Sequence, residues 1–537
     1  MALQTYYLEL RELVRKAQYD ENLISTGRTV LVVAEDLRKG LPTLTRINFR
    51  DELQIKALVL LSECFDYYGK FKEAFRYSQL GKDILPNMLK RRTARDELSQ
   101  AKVRLAVAYA RSMYRRGALA AAETLLLECR EYVTEYIATP TFPNHGTLGE
   151  IAYTLGRVYR QEERFSSALD EFNTAIREYS DRLAFIAKHR IGKKNIKEEE
   201  AFSTHKIATI VTLGVAWCNY TRGALSAAIQ GNLIPARMLL NKSGDVLNKA
   251  YADVVFASAS RALARKKDIS MLEYARELVT NAQQVFKHYN HRHYQAGATL
   301  ELALIESLLG HIKKATSHLR ECEASHAEGN DRWICSAKVA RSRLLRHRGR
   351  GKYSAAIKVA SEALDLARKR RNQLAQIDAL IARSEVYRLQ GRDKQSLAIE
   401  DLNRALDLNQ RTAGTFANPK VHAVCHLHLA QVFLSQDRKD IALVSFAEWE
   451  KVSAMVEHVW VRDMAKEISK KIDRMQKLTV DAAQDGLKYR FHDERLRRFL
   501  VAQARLRYGR KQEIASALGI SRPRLDRWLR RFQRPSL

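Results

Sequence analysis

The stretch IAYTLGRVYRQEERFSSALDEFNTAIREYS, residues 151–180, decides the fold class of this chain. A short polar turn divides it into two halves, and each half carries residues on one face of a helix: Leu155, Gly156 and Tyr159 in the first, and Phe165, Ala168, Phe172 and Ala175 in the second. Gly156 and Ala168 are small, as expected where two helices cross closely, and the aromatic side chains fill the space beside them. The stretch therefore predicts a helical hairpin.

The same pattern recurs along the chain. Similar pairs occupy residues 57–86, 378–408 and 426–452. A small residue marks the second helix of each pair, and ten positions fit this register: Ala34, Ala74, Ala122, Ala168, Ala236, Ala275, Ala315, Ala356, Ala398 and Ala442. After Ala236 the successive intervals are 39, 40, 41, 42 and 44 residues. The chain is therefore expected to be built from about ten hairpins.

The pattern resembles the tetratricopeptide repeat over roughly residues 10–470, with helices longer than the repeat of about 34 residues allows. The resemblance implies an all-α fold: a right-handed solenoid of helical hairpins. Its concave groove would bind a peptide, a protein or a small ligand. Only eight prolines and 23 glycines occur in 537 residues, which also favours long helices.

Two stretches interrupt the repeats. AKHRIGKKNIKEEEAF, residues 187–202, is charged and poor in apolar residues, and the pattern fades near residues 480–492. The predicted organisation is a repeat segment at 1–186, a charged linker or loop at 187–202 and a second repeat segment at 203–480. A linker at 481–492 and a helix-turn-helix domain at 493–537 follow.

Charge and composition restrict the partners. The chain has 92 Lys and Arg against 61 Asp and Glu, a formal net charge of +31. This excess favours a polyanion, with nucleic acid ahead of an anionic membrane surface.

Six scattered cysteines without a CxxC pair indicate reduced core thiols. Neither a signal-peptide core nor an apolar run of about 18 residues is seen. We therefore expect a cytoplasmic, nucleoid-associated protein without a membrane span.

The segment GRKQEIASALGISRPRLDRWLRRF, residues 509–532, predicts a helix-turn-helix. A helix from Gln512 to Leu518 ends at Gly519, which supplies a left-handed turn residue. Ser521 caps a second helix, and Pro523 lies in its first turn, where its missing N–H is harmless. The expected core residues are Ile514, Ala515, Leu518, Ile520, Leu525 and Leu529.

This segment resembles the Fis-type helix-turn-helix of bacterial regulators over about 45 residues. The matching string is A-x-x-L-G-I-S-R at residues 515–522, and residues 494–509 supply the preceding helix. Asp526 stands where that family commonly has an aromatic residue, and no AAA+ module accompanies the domain. Base preference and activation through an ATPase therefore do not carry over. A Cro-like variant that ends after its third helix is the alternative.

The recognition helix is predicted at residues 522–532, because the N-terminal part of such a helix reaches base edges in the major groove. Arg524 and Arg527 are expected to contact guanine O6 and N7. Asp526 either accepts from cytosine N4 or pairs with Arg522 or Arg530 along the helix.

Positive charge is concentrated at this end of the chain. Residues 488–537 hold 15 Lys and Arg against four Asp and Glu, a net of +11. Arg510, Lys511 and Arg531 are expected to hold phosphates, which give affinity without sequence. The predicted DNA-binding residues are Arg510, Lys511, Ser521, Arg522, Arg524, Asp526, Arg527, Arg530 and Arg531. A basic tail that docks on an acidic protein is the alternative.

Catalytic and metal motifs are weak. His422 and His426 are four residues apart on one helix with Cys425 nearby, but ordinary surface or core histidines are favoured, so no metal site is predicted. The chain lacks HExxH, P-loop and GxSxG motifs, so we expect no enzyme and no cofactor. Three tryptophans on apolar helix faces are interpreted as core residues: Trp217, Trp333 and Trp449.

These observations favour a transcriptional regulator. Its array would recruit or sense a protein, peptide or ligand, and its helix-turn-helix would bind double-stranded DNA. Because one small domain gives modest affinity, we expect a homodimer on a two-fold site. The alternative is a non-enzymatic scaffold or a defence or secretion adaptor whose basic tail docks on a partner or nucleic acid.

Overall fold

The structure is a computed structural model. It describes residues 8–9, 52–67, 70–79, 97–137, 144–162, 164–189, 203–243, 245–265, 268–325, 331–370, 372–411, 418–484, 501, 511–517 and 521–532. Every regular element within these residues is helical, which confirms the all-α prediction. No helix in this set combines the length and the apolar character needed to cross a membrane.

Consecutive helices pair into hairpins. The first three hairpins are α1 (Glu52–Tyr67) with α2 (Phe71–Ser78), α3 (Glu97–Arg115) with α4 (Leu119–Tyr132), and α5 (His145–Gln161) with α6 (Phe165–His189). The fourth hairpin joins α7 (203–222) to α8 (225–243). Each of its helices contains a π-helical segment: Val211–Ala216 and Ala227–Leu233.

Five further hairpins follow in the described residues. They are α9 (Val246–Leu263) with α10 (Ile269–His288), α11 (Arg292–Leu308) with α12 (Ile312–Glu323), α13 (Asp331–His347) with α14 (Tyr353–Lys369), α15 (Gln373–Gln390) with α16 (Gln395–Arg411), and α17 (Pro419–Ser435) with α18 (Lys439–Val452). The long helix α19 (Val459–Gln484) comes next. Two short helices lie near the C-terminus: α20 (Lys511–Ala517) and α21 (Arg522–Phe532).

The repeat alanines mark these hairpins. One lies in the second helix of each, and all nine are at most 1% exposed: Ala74, Ala122, Ala168, Ala236, Ala275, Ala315, Ala356, Ala398 and Ala442. A larger side chain at such a position would hold the paired helices apart. Seven of the nine alanines are the fourth residue of that helix, which confirms the predicted register there. Ala236 and Ala275 lie deeper, at the twelfth residue of α8 and the seventh of α10, so the register is wrong at these two, and Ala34 lies outside the described residues.

Phe172 of α6 shows how closely neighbouring hairpins pack. Its ring is fully buried between the backbones of α5 and α7. A Cβ added to Gly156 would lie 2.6 Å from the ring, and one added to Gly214 would lie 2.8 Å from it. Both positions therefore require glycine. The third and fourth hairpins share one core around Phe172, although residues 190–202 separate them in the chain.

Replacing Gly156 with Ala is expected to lower the free energy of unfolding by about 1 to 2 kcal/mol, because overpacking outweighs the gain in helix propensity. The midpoint of urea unfolding measures this change. Gly351→Ala is the matched control, since an added Cβ there meets nothing within 4 Å. Equal midpoints for Gly156→Ala and the unmodified protein would contradict the close packing.

The array curls back on itself. Oε2 of Glu457, which precedes α19, accepts a hydrogen bond of 2.6 Å from the backbone N–H of Ser226. The backbone N–H of Glu457 donates to the carbonyl of Gly223, at 3.0 Å. Gly223 lies in the turn between α7 and α8, and Ser226 is the second residue of α8. Hairpins four to nine therefore close into a superhelical turn around an inner space.

The described helices reach into both predicted linkers. Helix α6 continues to His189 and α19 continues to Gln484, within the segments 187–202 and 481–492. The rest of each segment lies outside the described residues, so the domain boundaries stay predictions. The six cysteines are all buried and unpaired, as expected of core thiols. Burial raises the pKa of the Cys64 thiol to about 12.

Candidate nucleic-acid interface and ligand groove

The two C-terminal helices build a small apolar core. Ile514 and Ala515 of α20 pack with Leu525 and Leu529 of α21, and Val501 joins them. The small side chain of Ala515 lets the two helices approach closely. Leu518 and Ile520, also predicted for this core, lie outside the described residues.

Ser521 sets the start of α21. It directly precedes the helix, and its carbonyl accepts the N–H of Leu525 at 3.0 Å, as the carbonyl of an N-cap residue does. Leu525 and Leu529 are four residues apart and face the core. The opposite side of α21, where Arg527 lies, therefore faces solvent.

The predicted DNA-binding residues are described to different extents. Six of them have described side chains on α20, α21 or the turn before α21. Asp526 is partly buried, and the other five are exposed: Lys511, Ser521, Arg522, Arg527 and Arg530. Arg524 and Arg531 lie on α21, but their side chains are outside the described set. Arg510 lies outside the described residues. The structure thus places exposed cations along α21 and at the start of α20.

Asp526 has a different partner from those predicted. Its Oδ1 lies 3.1 Å from Nζ of Lys511, so the ion pair joins α20 to α21. Arg530 donates from Nε to the backbone carbonyl of Asp526, at 3.4 Å. Lys511 is exposed and Asp526 is partly exposed, so the ion pair contributes at most on the order of 1 kcal/mol. Its main effect is to hold the Lys511 ammonium beside the recognition helix.

A second candidate site lies inside the superhelical turn. A cavity of about 230 Å³ is lined mainly by the first helices of hairpins four to nine, together with Phe286 of α10 and Trp460 of α19. Its wall combines aromatic and cationic side chains, among them Trp217, Tyr251, Arg261, Arg332, Trp333 and Lys420. We call this cavity the groove.

Two tryptophans belong to the groove wall. The guanidinium carbon of Arg332 lies 4.9 Å from the ring centroid of Trp217 and 5.1 Å from that of Trp333. The cation is therefore in contact with both electron-rich rings. Trp217 and Trp333 are partly buried: each packs against an apolar core cluster, and each also lines the groove. Trp449 is buried in the core, as predicted.

Unsatisfied donors also lie in this wall. Among the described residues no hydrogen-bond partner is found for the buried Nε1 of Trp333 or the buried Nδ2 of Asn418. The Asn418 side chain uses its Oδ1 to cap α17, accepting from the N–H of Lys420 at 3.1 Å. A buried donor without a partner is unfavourable by about 1 to 3 kcal/mol, so a rearrangement that gave either atom an acceptor would be favourable.

Lys420 adds positive charge to the same wall. Burial lowers the pKa of its ammonium; Asp378 opposes that shift, while Arg343 and Arg261 add to it. Arg261 is neutralised by an ion pair with Glu301 across the groove wall. An anionic group near Lys420 would stabilise its charged form.

Residues 492–536 match the Homeodomain-like domain family. The C-terminal segment is thus a homeodomain-like helix-turn-helix domain attached to a helical-repeat array. No curated protein matches the chain in sequence.

Three solved structures resemble the array. A Rap protein complexed with competence and sporulation factor is 14% identical, with a TM-score of 0.49 over 76% of this chain and 98% of that chain. Yeast Tom70 is 12% identical, with a TM-score of 0.38 over 90% and 97%. The human IFIT1 dimer with m7Gppp-AAAA is 13% identical, with a TM-score of 0.44 over 96% of each chain.

Sequence reasoning found the homeodomain-like domain because its motif is contiguous. It missed the groove residues, since these come from six hairpins spread between Trp217 and Trp460. One indication was available: Arg332 and Trp333 are adjacent at the start of α13, and a cation beside an indole is unusual in a core.

Proposed function

We propose that this chain is a sequence-specific DNA-binding transcriptional regulator whose repeat array recruits or senses a protein, peptide or ligand. The observation that carries the proposal is the exposed cationic face of α21 above a closed apolar core, in a domain of the homeodomain-like family. A recognition helix needs this combination: a rigid support behind it and donors in front.

The residues divide by the contact that each is proposed to make. Arg524 and Arg527 read guanine O6 and N7, since each guanidinium offers two parallel donors. The N–H groups at the start of α21, beside Ser521, face a phosphate. The side chains proposed to hold further phosphates are Arg510, Lys511, Arg522, Arg530 and Arg531. Because Lys511 holds Asp526, we assign Asp526 to positioning this lysine and not to cytosine N4.

Two finer features belong to the proposal. We assign the domain to the Fis-type subtype on the string at residues 515–522. We also expect a homodimer that places two recognition helices about one turn of DNA, roughly 34 to 36 Å, apart. Light scattering of the full-length protein with and without DNA tests the second feature, and a monomer on a single half-site would refute it.

The groove is proposed to bind an acceptor-rich, negatively charged ligand or peptide segment. The free donors of Trp333 and Asn418 and the ammonium of Lys420 support this chemistry. Trp460 lines the same groove from α19, the helix that leads toward the DNA-binding domain. Occupancy of the groove would therefore act on α19, and through it on the placement of the DNA-binding domains.

The deciding experiment measures DNA binding by the full-length chain and by a version that ends at Gln484, over a range of salt concentrations. The shorter version keeps all nine described hairpins and lacks the homeodomain-like domain. We expect only the full-length protein to bind, with a preferred sequence. The logarithm of its association constant, plotted against the logarithm of salt concentration, should have a slope of about −0.9 for each phosphate contact.

The other outcomes separate the alternatives. Equal binding by both versions would move the nucleic-acid surface to the array and refute the proposed site. Binding by neither would favour the scaffold function, in which the basic tail docks on a protein.

A further inference from the structure

The ninth hairpin brings together three residues that can ligate a metal ion. His422 and His426 lie on α17, and Glu448 lies on α18. One ligand atom from each of the three lies within 4.8 Å of the other two. Nε2 of His422 is 3.7 Å from Oε2 of Glu448, and the two imidazole centroids are 4.4 Å apart.

The arrangement follows from helix geometry. Residues four apart project from the same face of a helix, so His422 and His426 both face α18. Zinc holds nitrogen and oxygen ligands at about 2.0 to 2.2 Å, which places tetrahedral ligand atoms roughly 3.3 to 3.6 Å apart. The separation of His422 and Glu448 is already close to this value. Small rotations of side chains would bring the third ligand atom to it.

The surroundings suit a bound cation. His422 is buried, His426 is partly buried and the Glu448 side chain is 29% exposed, so the cluster is enclosed by protein but open to water at one side. No hydrogen-bond partner is found among the described residues for the buried Nδ1 of His426.

Lys451 is the competing cation at this position. Its Nζ lies 2.5 Å from Oε1 of Glu448, while the other carboxylate oxygen, Oε2, is the one near His422. The Lys451 side chain is 54% exposed, so it can swing into water when an ion arrives. If it stays, Glu448 bridges the ion and the ammonium.

We propose that His422, His426 and Glu448 bind one divalent first-row transition-metal ion, with Zn²⁺ the expected occupant. Two imidazoles and a carboxylate are borderline ligands that favour such ions over Mg²⁺ or Ca²⁺, and a water molecule would complete the coordination. The ion clamps α17 to α18. Asn418 and Lys420, on the same helix as the histidines, line the groove, so the clamp also steadies that part of the groove wall.

Calorimetric titration of ZnCl₂ into the full-length, tag-free protein, after treatment with a chelator, tests the site. We expect one saturable equivalent in the unmodified protein. His426→Gln and Glu448→Gln should each weaken it at least about 100-fold, because loss of a direct ligand exceeds the 10- to 100-fold effect of losing an outer-shell partner. Zn²⁺ should also raise the melting temperature of the unmodified protein and of neither variant.

Two control variants keep the test specific. Glu450→Gln removes an exposed carboxylate from the same helix as Glu448, and His288→Gln removes an exposed histidine from α10. Both should take up Zn²⁺ as the unmodified protein does. The absence of saturable uptake, or equal uptake by His426→Gln and Glu448→Gln, would overturn the proposal. Melting temperatures without metal show whether each variant folds, and DNA binding plays no part in the readout.

Discussion

Reversing the charges of Arg524 and Arg527 to Glu is expected to lower the affinity for DNA by at least about 100-fold. Each bidentate arginine–guanine contact contributes about 1 to 3 kcal/mol, and the reversal also places two carboxylates against the phosphate backbone. Arg527 is exposed on the side of α21 that faces away from the core, so the domain should still fold. Fluorescence anisotropy with a labelled duplex at fixed salt concentration measures the affinity.

A charge reversal in the array separates specific loss from a change in net charge. Arg404 is exposed on α16, and Arg404→Glu lowers the net charge by two units, half the change in the double variant, far along the chain from the homeodomain-like domain. We expect this variant to bind DNA within about twofold of the unmodified protein, because exposed charges farther away than about 10 Å are largely screened. Equal losses in both variants would show that the array carries the interface. Unchanged binding by the double variant would refute the assignment of α21 as recognition helix.

Replacing Glu150 with Ala should destabilise the array by about 3 to 5 kcal/mol, since it leaves buried cations without their counter-charge. Glu150 of α5 accepts hydrogen bonds from Arg111 of α3 at 2.9 Å, from Lys206 of α7 at 2.6 Å and from the hydroxyl of Tyr179 at 2.7 Å. Its side chain is 11% exposed. One carboxylate thus ties the second, third and fourth hairpins together. Chemical denaturation followed by circular dichroism measures the effect.

The same carboxylate makes the free energy of unfolding depend on pH. Burial alone would raise the pKa of Glu150, but Lys206, Arg111 and the hydroxyl of Tyr179 outweigh it and hold the pKa well below the ordinary value of 4.5. Because the folded-state pKa is below the unfolded one, the stabilisation is complete above about pH 4.5 and is lost as the pH falls toward the folded-state value. The unmodified protein should therefore lose more stability on acidification than Glu150→Ala does.

Glu131→Ala is the control, because Glu131 is exposed on α4. We expect it to change the free energy of unfolding by less than about 0.5 kcal/mol. If Glu150→Ala unfolded at the same denaturant concentration as Glu131→Ala, the hydrogen bonds around Glu150 would not stabilise the contacts between the second, third and fourth hairpins.

Local features of this molecule were predictable from sequence. The spacing of small and large residues in 151–180 indicated a hairpin, and the alanines recurring from Ala74 to Ala442 marked nine of them. The helix-turn-helix was equally accessible, with Ile514, Ala515, Leu525 and Leu529 in its core as expected. These features depend on residues a few positions apart, so the chain carries them in its local pattern.

The partner of Asp526 was not predictable in the same way. Pairing along one helix suggested Arg522 or Arg530, but Lys511 reaches Asp526 from the neighbouring helix. Helical periodicity describes the contacts within an element, whereas the angle between two helices decides which side chains meet across them.

The sequence by itself thus determined the all-helical repeat, the register of seven of its hairpins and the basic helix-turn-helix at the end of the chain. Tertiary structure decided the rest: the groove between Trp217 and Trp460, the closure of Glu457 onto Gly223 and Ser226, and the meeting of Glu448 with the two histidines. Packing of α17 against α18 within one hairpin decides which ligand atoms meet in the cluster. For the groove and the closure, the physical reason is the superhelical curvature. Small rotations between successive hairpins add up over six of them and bring together residues more than 200 positions apart, and no local pattern encodes that sum.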